Sequence, residues 1–238
     1  AKNVLHTIEE TQRDAIDKAA EAIVSSVLKG GTWNIYDTGH MLMHEAIGRA
    51  GGLMMVTPIH IDVSVRHPAR PRSMPPNPNR VFMDEIRDLP RFVLSQAQLQ
   101  AGDILLLGSV SGINVLPVEM AIQAKEMGLV TIGLTSVGYS KALEPQHDSG
   151  RRLCEVVDIV LDNCVPYGDA LVEVEGLGAK ICAVSGIAAS YIIWAVQATV
   201  VEKLLARGVV PSVYLSNHIP GAGAYNATAR KRYLELGY

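Results

Sequence analysis

Three stretches of this 238-residue chain are short and almost wholly apolar: Ile104-Leu105-Leu106-Leu107, Val130-Thr131-Ile132-Gly133-Leu134 and the run 156–161. The first and the third do not alternate apolar with polar residues as a strand with one wet face does, and each of the three is too short for a buried helix. Between the first two, residues 115–127 carry helical periodicity and end at Gly128. Apolar strands alternating with helices specify a parallel sheet covered on both faces.

The rest of the chain fits that frame. Residues 3–29 repeat Val4, Ile8, Ala15, Ile16, Ala19, Ile23 and Val27 at three- and four-residue steps, which predicts one amphipathic helix ending at Gly30-Gly31. Trp33-Asn34-Ile35-Tyr36 predicts a first strand, entering the loop Asp37-Thr38-Gly39-His40. A helix over 41–50, stopped at Gly51-Gly52, and a strand Leu53-Met54-Met55-Val56 follow. Five prolines between 66 and 80 make that segment a loop, for which a lid over a site and a plain excursion both stand. A helix is expected near 81–98, a long one over 178–206, and an irregular C-terminal tail after it. The expected unit is a single domain, residues 1–238.

Composition excludes several classes. A net charge of −3 with 48% hydrophobic residues lacks the basic excess of a nucleic-acid binder. The N-terminus carries Lys2, Glu9, Glu10 and Arg13 and has no signal-peptide core, so a cytoplasmic protein is expected. Three cysteines with no CxxC pair read as buried, reduced thiols. The charge-free run 181–201 is long enough to span a bilayer, but Ser185, Gly186, Ser190, Tyr191, Gln197 and Thr199 interrupt it. It reads as a central helix, and no membrane partner is expected.

In open parallel sheets, ligands bind beyond the carboxyl ends of the strands. Three strand ends here release small polar residues: Thr38-Gly39-His40, Ser109-Val110-Ser111-Gly112-Ile113-Asn114, and Thr135-Ser136. Glycines and hydroxyls let backbone N–H groups approach a phosphate, and a helix that follows aims its positive end there. No GxxxxGK[ST] sequence occurs, so a nucleoside-triphosphate P-loop is absent. Alone, Ser-x-Ser-Gly also suits a plain helix cap.

The run 102–112, Gly-Asp-Ile-Leu-Leu-Leu-Gly-Ser-Val-Ser-Gly, leads to Ala124-Lys125-Glu126-Met127-Gly128 and Ile132-Gly133-Leu134-Thr135. Together they resemble the central signature of the sugar isomerase (SIS) domain. Further segments are similar to a sugar-isomerase-domain subfamily related to the phosphoheptose isomerases: residues 38–53, His147-Asp148-Ser149-Gly150, Asn163 with residues 165–170, and Ser216-Asn217-His218 with Gly221 and Asn226. The resemblance implies a flavodoxin-like, doubly wound sheet of about five strands, a homodimer, and a phosphosugar site at or near the subunit interface. It places Ser109, Ser111, Gly112 and Asn114 on the first phosphate loop, Thr135 and Ser136 on the next strand end, and Thr38 and Gly39 on the first loop.

An aldose–ketose isomerase needs a base at C2 and C1 and a proton shuttle near the ring oxygen. Glu45, ahead of Gly48-Arg49, is the candidate base; a helix-surface carboxylate is its alternative. His40 is the candidate shuttle, or else a loop histidine bonded to backbone, and His218 is placed to reach a partner subunit's site. His40 and His44 are spaced for a metal, but phosphoheptose isomerases carry a ligand histidine where Met41 stands, and residues 178–206 hold no histidine. Neither metal nor organic cofactor is expected. His147, ahead of Ser149-Gly150, reads as structural. The leading expectation is a sugar-phosphate isomerase; a non-catalytic phosphosugar sensor and a lyase-type etherase are the alternatives.

Overall fold

The computed structural model of the chain describes residues 1–38, 41–66, 83–86 and 88–238. Gly39, His40 and all of the proline-rich segment except Arg66 lie outside those residues. The chain opens with helices α1 (Lys2–Thr11) and α2 (Arg13–Val27), then strand β1 (Trp33–Asp37) and strand β2 (Val56–Pro58). A 3-10 turn (Met83–Glu85) leads to α3 (Leu89–Gln96), β3 (Ile104–Gly108), α4 (Val115–Glu126) and β4 (Val130–Thr135). After α5 (Val137–Lys141), α6 (Leu153–Val156) and β5 (Ile159–Asp162) come β6 (Ala170–Glu173), β7 (Lys180–Ala183), α7 (Ser185–Ala206) and α8 (Ala222–Leu236).

The main sheet runs β2-β1-β3-β4-β5, every pair parallel, as the apolar runs require. Alternate residues feed opposite cores. Trp33, Ile35, Ile104, Leu106, Ile132 and Leu134 join α2 and α7 on one face. Tyr36, Leu105 and Leu107 join α3, α4 and α6 on the other. This strand order is that of the flavodoxin-like doubly wound sheet. Helix α7 is long and apolar enough to cross a membrane by composition. Here Ala188, Ile192, Val196 and Val200 are buried in the core that α7 shares with α2 and the sheet.

Several boundaries differ from the sequence expectation. The N-terminal helix is two helices, broken at Gln12, whose side-chain Oε1 accepts the Asp162 N–H at 2.9 Å and so ties the break to the end of β5. The helix expected over 41–50 is a series of turns. Asp37 captures the Leu42 and Met43 amides, Gln197 draws on the Ala46 carbonyl at 3.4 Å, and Gly48 sits at φ +67°; these compete with helical bonds. The second strand starts at Val56; Leu53, expected to open it, pairs with Val213 in an antiparallel bridge. Residues 153–156 form α6, so β5 begins at Ile159. The long helix begins at Ser185, because residues 170–183 fold as the β6–β7 hairpin, closed by a Lys180–Glu173 pair at 3.0 Å. The C-terminal tail contains α8, where Arg232 donates to Ser212 Oγ and the Pro211 carbonyl, both at 3.1 Å. All three cysteines are free, but Cys182 is exposed on β7 and only Cys154 and Cys164 are half-buried. Burial pushes the thiols of Cys154 and Cys164 up.

Helix α4, which follows the loop 109–114, is anchored at both ends. Toward its start, Glu119 of α4 accepts the His147 Nε2–H at 2.5 Å, while His147 Nδ1 accepts the Ser149 N–H at 3.1 Å, the structural role expected of His147. Toward its end, Lys125 meets Asp158 at 2.8 Å, and Asp158 also accepts the Thr131 N–H at 2.9 Å and its hydroxyl at 2.8 Å. Burial raises the Asp158 carboxyl, but Lys125 and the two Thr131 bonds outweigh it and hold the group below its ordinary 3.8. A carboxyl depressed on folding stabilises above its unfolded pKa, and that contribution fades as pH falls through its folded value. Asp158→Asn is therefore expected to lower stability by about 1 kcal/mol at neutral pH, a modest figure because the pair is partly exposed. Urea midpoints should show the gap to wild type closing as pH falls through the depressed folded value, where the carboxyl becomes protonated in the folded chain as it already is in the unfolded one.

Candidate functional site

From β1 the chain crosses to β2 on one side, and β3 lies against β1 on the other, so the order reverses between β1 and β3. The crevice of a doubly wound sheet lies at that reversal, beyond the carboxyl ends. Asp37 and Gly108 end the two strands in register, and the Thr38 N–H donates to the Gly108 carbonyl at 3.2 Å. A Cβ on Gly108 would meet the Asp37 Cβ at 2.8 Å and Met41 and Leu42 side-chain atoms at 3.2 Å. Only glycine lets β3 pass so close to the first loop.

The loop 109–114 is fixed from all sides. The Ser109 N–H donates to the Leu134 carbonyl at 3.0 Å, and the Ser109 hydroxyl accepts the Gly112 N–H at 3.3 Å. The Val110 carbonyl accepts from the Ser136 N–H at 2.9 Å and the Thr135 hydroxyl at 3.1 Å. The Leu153 and Gln146 amides donate to the Gly112 and Ile113 carbonyls at 2.7 and 3.1 Å. Gly112, at φ +61°, makes the turn, and Asn114 follows as the N-cap position of α4. Ser111 is half-buried at the turn, whereas Ser109 is buried. The loop is thus preorganised at the positive end of a twelve-residue helix.

Thr135 and Ser136 are fully buried. The Ser136 hydroxyl donates to the Val165 carbonyl at 2.6 Å and accepts the Tyr139 N–H at 3.2 Å. Both hydroxyls therefore brace neighbouring loops. The start of α7 is occupied as well: Asp169 accepts the Val184 and Ser185 amides at 3.0 and 2.8 Å and the Ser185 hydroxyl at 2.6 Å. At the start of α4, Asn114 holds the N-cap position, one turn beyond Ser109 and Ser111 in the chain.

Glu45 lies in the turn that replaces the expected helix, 3.4 Å from the Arg49 guanidinium, with its side chain 38% exposed. His40 and Gly39 are outside the described residues. His218 is exposed in the connection to α8, its N–H 3.5 Å from the Ser216 hydroxyl. The preceding segment pairs with the first loop's far end, the Gly51 N–H donating to the Tyr214 carbonyl at 2.7 Å.

Two positioning residues were passed over in the sequence. Asp37, 4% exposed, gathers the amides of the 41–46 turn. Gln197, 3% exposed on α7, accepts the Leu53 N–H at 2.9 Å, anchoring the segment that carries Glu45. The available signal was a lone amide in the charge-free run 181–201. Beside Asp37 and Thr38 opens a 280 Å³ cavity whose walls include His44, His60 and Asp62. A larger hollow, 530 Å³, lies among α1, α2 and α7 and holds no strand-end residue. Among the described residues, no group of three or more His, Cys, Asp or Glu side chains is placed to hold a metal ion.

Residues 1–136 match the SIS domain. UPF0309 protein ABC0887 of Shouchella clausii is 33% identical over 95% of this chain and 90% of its own length. A UPF0309 protein of Streptomyces griseus is 32% identical over 98% of this chain and 92% of its own. A solved phosphoheptose isomerase from Francisella tularensis aligns with a TM-score of 0.49 at 16% identity, over 83% of this chain and 90% of that one. By the match over residues 1–136 and the near full-length likeness to the UPF0309 proteins, the chain belongs to the SIS domain family.

Proposed function

We propose that the whole chain, residues 1–238, works as one SIS domain that binds a phosphorylated sugar and interconverts its aldose and ketose forms through an enediol. The observation that carries this reading is the braced 109–114 loop at the start of α4, set at the switch point beside Thr38. A phosphate there meets backbone N–H groups, the Ser111 hydroxyl and the helix's positive end without reorganising the loop. Glu45 is assigned as the base that takes the C2 proton of the open-chain aldose phosphate and returns it to C1. His218 is assigned to the edge of the site in a homodimer. The exposed Val172, Ile181 and Ile187 around the start of α7 supply apolar surface for that dimer. The reading places the protein in the cytoplasm and involves no cofactor, nucleic acid or membrane.

The test is a thermal-shift panel of pentose, hexose, heptose and amino-sugar phosphates, with the free sugars and inorganic phosphate as controls. A sugar phosphate at about a hundred times its Kd should stabilise the fold by roughly 2.7 kcal/mol. Deuterium uptake from solvent at C1 or C2 then separates an isomerase from a sensor. If no sugar phosphate shifts the melt, the reading falls; if one shifts it and never exchanges, the sensor replaces the isomerase.

Ser111→Ala provides a local check. A hydrogen bond to a charged group is worth about 1.5–3 kcal/mol, so phosphosugar affinity should drop roughly tenfold or more. The weak binding of the unphosphorylated sugar should not change. Equal losses for both ligands would mean that Ser111 only shapes the loop.

A further inference from the structure

Two imidazoles share the hollow beside the first strand, and neither has a part in the site as described so far. His44 comes from the turn after β1, and His60 from the segment after β2; both line the 280 Å³ cavity that also contacts Asp37, Thr38 and Asp62. Both histidines are exposed, so a ligand entering the cavity reaches them without unpacking the fold. His60 stands between the buried Ile59 and the half-buried Ile61, which fix the backbone that presents it. Its segment also walls a 400 Å³ hollow against α3, lined by Leu89, Phe92 and Val93.

The cavity is placed for the body of a ligand anchored by its phosphate. Asp37 on its wall is the register partner of Gly108, the last residue before the phosphate loop. Adjacent strands lie about 4.8 Å apart, so the loop and the cavity rim are separated by roughly one strand spacing. The carbon chain of a sugar phosphate covers that span. Glu45 is not among the cavity walls. The chemistry also asks for more than one carboxylate, because a cyclic aldose phosphate must open before C2 can lose its proton. Imidazole is the side chain suited to passing protons both ways near neutral pH.

We propose that His60, paired with His44 on the same hollow, opens the sugar ring. This inference rests on the isomerase reading above. His60 gives a proton to the ring oxygen while His44 takes the proton of the anomeric hydroxyl. The bond from C1 to the ring oxygen breaks, its electron pair stays on that oxygen, and the carbonyl forms at C1. One proton is given and one taken, so the open-chain aldose needs no co-reactant.

The experiment compares wild type, His60→Ala and His44→Ala on the sugar phosphate that stabilises the wild type best. His60→Ala is expected to slow deuterium uptake at C1 and C2 at least a hundredfold. Its apparent affinity in the thermal-shift assay should stay within about threefold, and added imidazole, which can enter the open cavity, should restore the rate at least tenfold. His44→Ala should behave alike. Exchange within threefold of wild type, or a loss that imidazole leaves untouched, overturns the assignment. If His60→Ala does not fold, His60→Gln is read in its place by the same rate and affinity criteria. The two levels fail differently. A wild type that binds no sugar phosphate overturns the isomerase reading itself, whereas a wild type and a His60→Ala variant that exchange equally overturn only the role of His60.

Discussion

Glu45→Gln is expected to cut turnover of the preferred sugar phosphate at least a hundredfold, with the ligand's thermal shift nearly unchanged. The substitution keeps the shape of the side chain and removes the group that accepts the proton. Its surroundings argue that the backbone will hold: the preceding turn hangs on Asp37 through the Leu42 and Met43 amides, and the next residue's carbonyl is held by Gln197 at 3.4 Å. Arg49, 3.4 Å from the carboxylate, loses an ion pair that is largely in water, so the stability change should stay below about 1 kcal/mol. A fall in kcat and kcat/KM together, at constant affinity, marks an interaction made in the transition state. Wild-type solvent exchange at C1 and C2 in this variant would remove Glu45 from the mechanism and leave it as the partner of Arg49.

Gly112→Val should have the largest effect on the fold. Gly112 sits at φ +61°, a conformation that costs an L residue about 1–2 kcal/mol. Its Cβ would come within 2.6 Å of the Thr135 hydroxyl and 3.3 Å of both Leu153 Cβ and the Ser140 hydroxyl. Overpacking of that kind adds about 1–3 kcal/mol, so a total near 3 kcal/mol is expected from urea unfolding. The proposed anion site is this loop, so the thermal shift with sugar phosphates is expected to vanish as well. Gly138→Ala is the control: nothing lies within 4 Å of its added carbon, and its stability should stay within about 0.5 kcal/mol of wild type. Equal behaviour of the two variants would show that the loop accommodates a side chain at 112. If the valine variant does not fold, Gly112→Ala carries the comparison.

The parallel sheet was legible in the chain because strands covered on both faces leave a direct trace. Ile104-Leu105-Leu106-Leu107 alternates its residues between two cores, so every position is apolar. The strand ends at Asp37, Gly108 and Thr135 were legible for a related reason: small polar residues begin where each apolar run stops. The turn at 41–50 was not legible, because Asp37 and Gln197 decide it, and Gln197 is about 150 residues away. Nor was the hairpin 170–183, whose strands lie largely in solvent and carry no core pattern.

Neighbours along the chain suffice for the layered sheet, the family and the loop 109–114 at the head of α4, which follow from hydrophobic period, glycine placement and helix start. Which hydroxyls are spent depends instead on packing between distant segments. Thr135 and Ser136 look like Ser111 on paper, yet they are buried and bound to the Val110 and Val165 carbonyls. Packing also decided that His44 and His60, sixteen positions apart, line one cavity. Both outcomes depend on which strands lie side by side, and side-chain burial and convergence follow from that packing, not from spacing along the chain.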